Sequence, residues 1–301
     1  FASPKIAIPP LQALLENKHF EVISVVTQSP KEVGRGQNIA QTPVHQFAKL
    51  NKLIVHDENE IKKIEQHIRS EAKEQPDFLV VCAYGKILPL FLLEISRFGA
   101  INIHFSLLPK YRGASPIQEA LLQGDDATGI TFMEMNEELD AGDILLQESL
   151  IIENTDMADT LGEKLSRLSA KLLPRVLLDI AEGRANVLPQ DQNRASFCRK
   201  IKKEDGLLNP EKETALEMFR KIRAYTPWPG TSVTLLEKRL KILYATPLLE
   251  QKISSNKWLT EGENLFLGTK QGCLVIHKIQ PEGKREMTAS EFIRGYRKLL
   301  S

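Results

Sequence analysis

The stretch DFLVVCAYGKILPLFLLEISRFGAINIH, residues 77–104, decides the fold. Leu79 to Cys82 form a short apolar run with no polar alternation, the pattern of a strand buried on both faces. LPLFLLEISRFG then has the spacing of a helix, and AINIH is again a strand. A strand that returns through a helix to a second strand predicts a parallel sheet with both faces covered. The same alternation extends outward. HFEVISVVTQ, residues 19–28, is a β-branched run ending in the turn-rich SPKEVGRG, and DENEIKKIEQHIRSEA places Ile61, Ile64 and Ile68 at helical spacing. DTLGEKLSRLSAKLLPRVLLDIAEG, residues 159–183, predicts a long amphipathic helix with Leu161, Leu165, Leu168 and Leu172 inward and Gly183 as its stop. The first half is an α/β domain.

The second half reads differently. RANVLPQDQNRASFCRKIKKEDG has the weak periodicity of a connection, and a linker is expected over 187–202 between domains at 1–186 and 203–301. ALEMFRKIRAY predicts a short helix and TPWPGTS a turn, in which Trp228 is expected to be a packing plug. Three strand-like runs follow, SVTLLEKRLKILYA, NLFLGTK and GCLVIHKIQP. They predict a small antiparallel barrel closed by the helix TASEFIRGYRKLL.

The 301 residues, 42% hydrophobic and 26% charged, suit two globular domains rather than a disordered chain. No stretch approaches the ~18 apolar residues of a membrane span, and FASPKIAIPP lacks the basic leader of a secretory signal, so a cytoplasmic protein that makes no use of membranes is expected. A strand is expected ahead of Phe1. Cys82, Cys198 and Cys273 are far apart and in no metal-binding spacing, which argues against a disulfide framework or zinc. The net charge of +1 conceals an asymmetry. Residues 1–186 carry 19 Lys and Arg against 26 Asp and Glu, whereas residues 187–301 carry 21 against 13. A basic half suits a polyanionic partner, and equally suits attraction to the acidic half.

Side chains alternate along AINIH, so Ile101 and Ile103 share one face and Asn102 and His104 the other. Ligands of open α/β sheets sit beyond the carboxyl ends of strands, which is where His104 falls. An imidazole that exchanges a proton near neutral pH and an amide that donates to an oxyanion are what acyl transfer needs. A third group to orient the imidazole is available in MNEELDAGDILLQE, as Asp140 or Asp143 on a turn marked by Gly142. The same pair also fits the wet face of an ordinary strand.

NIHFSLLPKYRGASPIQ followed by LDAGDIL resembles the signature of the formyltransferases that use 10-formyltetrahydrofolate. FASPKIAIPPLQALL, PKEVGRG with TPVHQFA, PDFLVVCAYGKILP and IRAYTPWPGTSV extend the likeness over almost the whole chain, toward the branch that formylates methionine on initiator tRNA. Ala2, Ser3 and His45 depart from that branch's usual glycine, threonine and lysine. The resemblance implies a Rossmann-like catalytic domain with a mainly parallel sheet, a linker and an OB-like barrel that helps to hold tRNA. It implies Asn102, His104 and Asp140 as the catalytic set, with Asn102 and a protonated His104 facing the formyl oxygen and Asp140 holding the imidazole. Ser106, Leu107, Leu108 and Pro109 become a folate wall whose backbone groups meet the pterin, and Arg35 meets the acceptor end of the tRNA. Phe105 is structural. The donor is 10-formyltetrahydrofolate, no metal is required, and a monomer suffices. Other branches act on glycinamide ribonucleotide or sugar nucleotides, or hydrolyse the formyl donor. The barrel, its basic balance and the GRG loop favour tRNA, and an intact catalytic set argues against a mere RNA-binding module.

Overall fold

The computed structural model describes residues 1–33, 38–60, 75–235 and 238–300. The expected helix around Ile61, Ile64 and Ile68 and the GRG loop with Arg35 lie outside the described residues. The chain divides into two compact units. The first comprises Phe1–Pro116, Ala127–Ile151 and Gly162–Cys198, and the second Ile117–Asp126, Ile152–Leu161 and Arg199–Ser301.

In the first unit, strands β1 (Ser24–Thr27) and β2 (Ile54–Asp57) run parallel. So do β3 (Leu79–Cys82) and β4 (Ala100–His104). Residues 1 and 2 lie between β1 and β3: Ala2 N–H donates to the Val26 carbonyl at 3.0 Å and Cys82 N–H to the Phe1 carbonyl at 2.9 Å. The α-amino group of Phe1 donates to the Val80 carbonyl at 2.7 Å, and its burial lowers its pKa to about 6. Beyond β4 the sheet changes character. β5 (Ala127–Glu134) and β6 (Ile144–Ile151) extend it antiparallel, so the expected mainly parallel sheet is mixed at this edge. The short β5–β6 connection has no room for the crossover that parallel strands need, which accounts for the second of these antiparallel pairings.

Two expected elements differ. The helix over LPLFLLEISRFG shrinks to Leu90–Leu93, because the N–H groups of Arg97 and Phe98 bond the Pro76 and Asp77 carbonyls instead of continuing a helical ladder. The long helix spans Ala158–Ala181, but its buried stripe passes from Leu165 through Ser169 to Leu173 and Leu177, leaving Leu168 and Leu172 half-buried. Ser169 is accommodated there because its hydroxyl donates to the Ser166 carbonyl at 2.8 Å. The first part of the expected linker also belongs to the first unit: Leu188 pairs with Ile144, and Phe197–Cys198 runs parallel to Arg112–Gly113.

The second unit holds β7 (Thr231–Leu235), β8 (Lys238–Leu248), β9 (Trp258–Glu261), β10 (Asn264–Gly268) and β11 (Cys273–Pro281). They are antiparallel throughout in the order β7-β8-β11-β10-β9. The run SVTLLEKRLKILYA therefore holds two antiparallel strands and not one, and its sequence has no glycine or asparagine to signal the change. β9, Trp-Leu-Thr-Glu, is a strand that the three expected runs did not include; Gly262, at φ 60°, turns it into β10. The helix Ala215–Tyr225 starts from a reciprocal cap, with Thr214 and Glu217 each bonding the other's backbone N–H. It packs Met218 and Ile222 into the core of the second unit with Ile242, Leu265, Leu274 and Phe292.

Phe105 is buried as expected, but Trp228 is 58% exposed and plugs nothing. Gly230 N–H closes that turn onto the Tyr225 carbonyl at 2.8 Å and leaves the indole outside. The three cysteines are buried thiols, and burial pushes that of Cys82 up to about 12. Among the described residues no helix is long and apolar enough to cross a membrane. In urea unfolding, Trp228→Ala is expected to change stability by less than about 1 kcal/mol and Phe292→Ala to cost about 3–5 kcal/mol.

Candidate functional site

β4 buries Ile101 and Ile103 and turns Asn102 and His104 to the opposite face, at the end of the strand. Its pairing with β3 on one edge and β5 on the other fixes that register, since a slip of one residue would exchange the two faces. Asp140 arrives from the loop between β5 and β6, in the left-handed region at φ 48°. Gly142 lets this loop lie against the sheet: a Cβ there would collide with the Glu134 carbonyl oxygen.

The three expected catalytic side chains meet. Asn102 Nδ2 donates to Asp140 Oδ1 at 3.4 Å, and His104 Nδ1 stands 3.7 Å from Asp140 Oδ2. Oδ2 also accepts the Gly113 N–H at 2.8 Å, which anchors the carboxylate independently of the imidazole. The choice between the two aspartates is thereby settled, since Asp143 is instead close enough to Glu134 to help raise its pKa, secondary to burial.

The His104 ring has a second neighbour that the sequence did not suggest: the Tyr111 carbonyl lies 3.0 Å from Nε2, on the side opposite Asp140. A carbonyl only accepts, so Nε2 carries the proton and, in the neutral ring, Nδ1 presents its lone pair toward Asp140. His104 is 5% exposed, and burial lowers its pKa below the usual histidine value against the opposing pull of Asp140 and the Tyr111 carbonyl. Burial thus favours the neutral ring. A bare nitrogen beside a carboxylate is a proton acceptor whose charged form has a counterion already in place. Asn102 keeps a second amide hydrogen for a substrate oxygen.

In the SLLP segment Ser106 and Leu108 are buried, and Leu108 packs with Met133 and Ile144. Thr131 Oγ1 accepts the Leu108 N–H at 3.1 Å and donates to the Ser106 carbonyl at 2.6 Å, while Gln147 donates to the Leu108 carbonyl at 2.7 Å. Each of these carbonyls keeps a second lone pair. Leu107 and Pro109 retain exposed surface. Leu107 lies over Gly129, where an added Cβ would come within 2.6 Å of its Cδ2. Sequence reasoning missed Tyr111 and Gly113, which act through backbone groups; the basic turn KYRG was the available signal. Among the described residues no cluster fit to hold a metal is found.

Residues 3–177 match the family model described as formyl transferase, and residues 200–297 match that of the formyl transferase C-terminal domain. The chain is 38% identical over 293 residues to the methionyl-tRNA formyltransferase of Gluconobacter oxydans, covering 97% of this chain and 94% of that one. It is 40% identical to the methionyl-tRNA formyltransferase of Thermodesulfovibrio yellowstonii, covering 98% and 94%. Among solved structures, the N-formyltransferase from Helicobacter canadensis in complex with folinic acid and dTDP-3-aminofucose is similar with a TM-score of 0.66, 20% identity and coverage of 95% and 97%. At that identity the likeness concerns the fold. For the site itself, the His104 ring is expected to titrate in NMR with a midpoint below 6.5, and Asp140→Asn is expected to lower that midpoint further by removing the group that favours the charged ring.

Proposed function

The chain belongs to the formyl transferase family, and on that premise we propose that Asn102, His104 and Asp140 carry the transfer of a formyl group from 10-formyltetrahydrofolate to the α-amino group of methionine on initiator tRNA, for translation initiation. The observation that supports this reading best is the convergence of the three side chains, with His104 Nδ1 directed at Asp140 and away from its carbonyl anchor. An α-amino group ordinarily titrates near about pH 8, so it is partly neutral at cell pH and needs little activation.

The amine nitrogen bonds to the formyl carbon, and the carbonyl electrons move onto oxygen, where Asn102 Nδ2 donates to the growing charge. The attacking nitrogen, now an ammonium, gives its proton to His104 Nδ1. The imidazolium so formed is held between Asp140 and the Tyr111 carbonyl. The oxyanion then restores the carbonyl, the bond to folate N10 breaks, and N10 takes the proton back from His104. Tetrahydrofolate and the formylated aminoacyl-tRNA leave, and the enzyme returns to its starting protonation state. No covalent enzyme intermediate is needed.

The folate wall is assigned to Ser106, Leu107, Leu108 and Pro109, with Leu107 and Pro109 giving the contact surface and Ser106 and Leu108 the support. The second unit is assigned as an OB-like barrel that holds the tRNA, in keeping with the basic excess of residues 187–301. Arg35 is assigned to the acceptor end of the tRNA on the sequence alone. A monomer in the cytoplasm completes the reading.

In a turnover assay with charged initiator tRNA and labelled formyl donor, Asn102→Ala, His104→Ala and Asp140→Ala are each expected to lose at least about a hundredfold in kcat/KM. Near-normal rates in all three would remove the assignment. Because neutral His104 accepts the proton, kcat/KM is expected to fall on the acid side with a midpoint below the ordinary histidine value; an acid limb above 6.5 contradicts the neutral-ring role. Arg35→Ala is expected to raise KM for the tRNA without changing KM for the folate.

A further inference from the structure

We propose that Gln190, from the stretch expected to be a linker, is a positioning residue that sets the spacing between His104 and Asp140. The inference rests on the catalytic reading above and extends it to a residue that touches neither substrate.

The Gln190 side chain uses its full hydrogen-bonding capacity. Its Oε1 accepts from Arg112 Nε at 3.0 Å and from Arg112 Nη2 at 2.6 Å. Its Nε2 donates to the Asp140 carbonyl at 2.9 Å and to the Gly142 carbonyl at 2.7 Å. Two lone pairs and two hydrogens are matched to two donors and two acceptors, which also fixes which end of the amide is which. Both Gln190 and Arg112 are buried.

What the amide joins gives it a role. Arg112 follows Tyr111, whose carbonyl holds His104, and precedes Gly113, whose N–H holds the Asp140 carboxylate. Asp140 and Gly142 frame the turn that presents that carboxylate. One side chain therefore ties the backbone behind the imidazole to the backbone behind its counterion. The same segment reinforces the first of these: Ser196 accepts the Tyr111 N–H at 2.9 Å on its hydroxyl and the Arg112 N–H at 2.8 Å on its carbonyl. Gln192 takes Arg112 Nη1 at 2.9 Å. Among the described residues no carboxylate pairs with this buried guanidinium, so its charge is solvated by amide oxygens.

Glutamate at 190 separates the two halves of the bracket. It keeps an acceptor for Arg112, indeed a stronger one, but offers two carbonyl oxygens a carboxylate instead of two N–H groups. The turn bearing Asp140 is pushed away while the tie to Arg112 remains. Gln190→Glu is expected to keep Tm within about 3 °C of the parent and to keep KM for donor and tRNA within about twofold. Its kcat is expected to fall at least about tenfold, since a displacement on the order of 1 Å at a reacting group is enough for that. A kcat within about twofold of the parent overturns the inference. So does a loss shared equally between kcat and both KM values, which marks general disruption. If Gln190→Glu does not fold, Gln190→Asn, which keeps both donor and acceptor one methylene short, is judged by the same split between kcat and KM. Asp140→Ala is assayed alongside: an active Asp140→Ala removes the catalytic reading itself, whereas an inactive Asp140→Ala with a fully active Gln190→Glu removes only the role of Gln190.

Discussion

The pairing of β4 on both of its edges is the constraint on which the site depends. Parallel to β3 on one side and antiparallel to β5 on the other, the strand has no freedom to slide. Its two isoleucines are almost wholly buried, so any shift by one residue would place Asn102 and His104 in the core and the isoleucines at the site. Ordinary burial of two isoleucines thus sets which face of the strand the two polar side chains occupy. The remaining groups of the site are brought to this fixed edge by loops.

Those loops carry a visible cost. Tyr111 at φ 63° and Asp140 at φ 48° both occupy the left-handed region without being glycine. Such residues typically cost on the order of 1–3 kcal/mol each and persist where surrounding bonds over-determine them. Here those bonds are the hydrogen bonds from Gly113 to the Asp140 carboxylate, from Gln190 to the Asp140 carbonyl, and between Tyr111 and Ser196. The conformation of Tyr111 directs its carbonyl at the imidazole, and that of Asp140 swings its carboxylate beneath Asn102.

How much of this was legible depended on which atoms do the work. Alternation in AINIH was enough to pair Asn102 with His104, and the wide β-branched runs were enough for an α/β first half. Spacing could not choose between Asp140 and Asp143, because the choice is made by the backbone angle of the turn. The Tyr111 anchor of the imidazole was invisible, since a carbonyl is present at every residue and only the fold says which one points where. The connection at 187–198 looked like a spacer because Gln190, Ser196 and Cys198 are small or polar and aperiodic, although their partners are buried. In the second unit the division of one run into β7 and β8 escaped notice because the sequence between them has no glycine, proline or asparagine, and Trp228 was misplaced because composition says nothing about which way a rigid loop faces.

The hydrogen bonds that assemble the site join residues far apart along the chain: Asn102 to Asp140 across 38 positions, Gln190 to Asp140 across 50, and Tyr111 to Ser196 across 85. Each closes a large loop, and closures of that kind come late in folding because the entropy of the chain must be overcome before any contact repays it. The sheet shares this property, since Phe1 meets Cys82 across 81 positions. The three side chains of the site therefore come together only in a chain whose distant segments have already met. Catalytic competence in this molecule reports on the finished fold more sensitively than its secondary structure does.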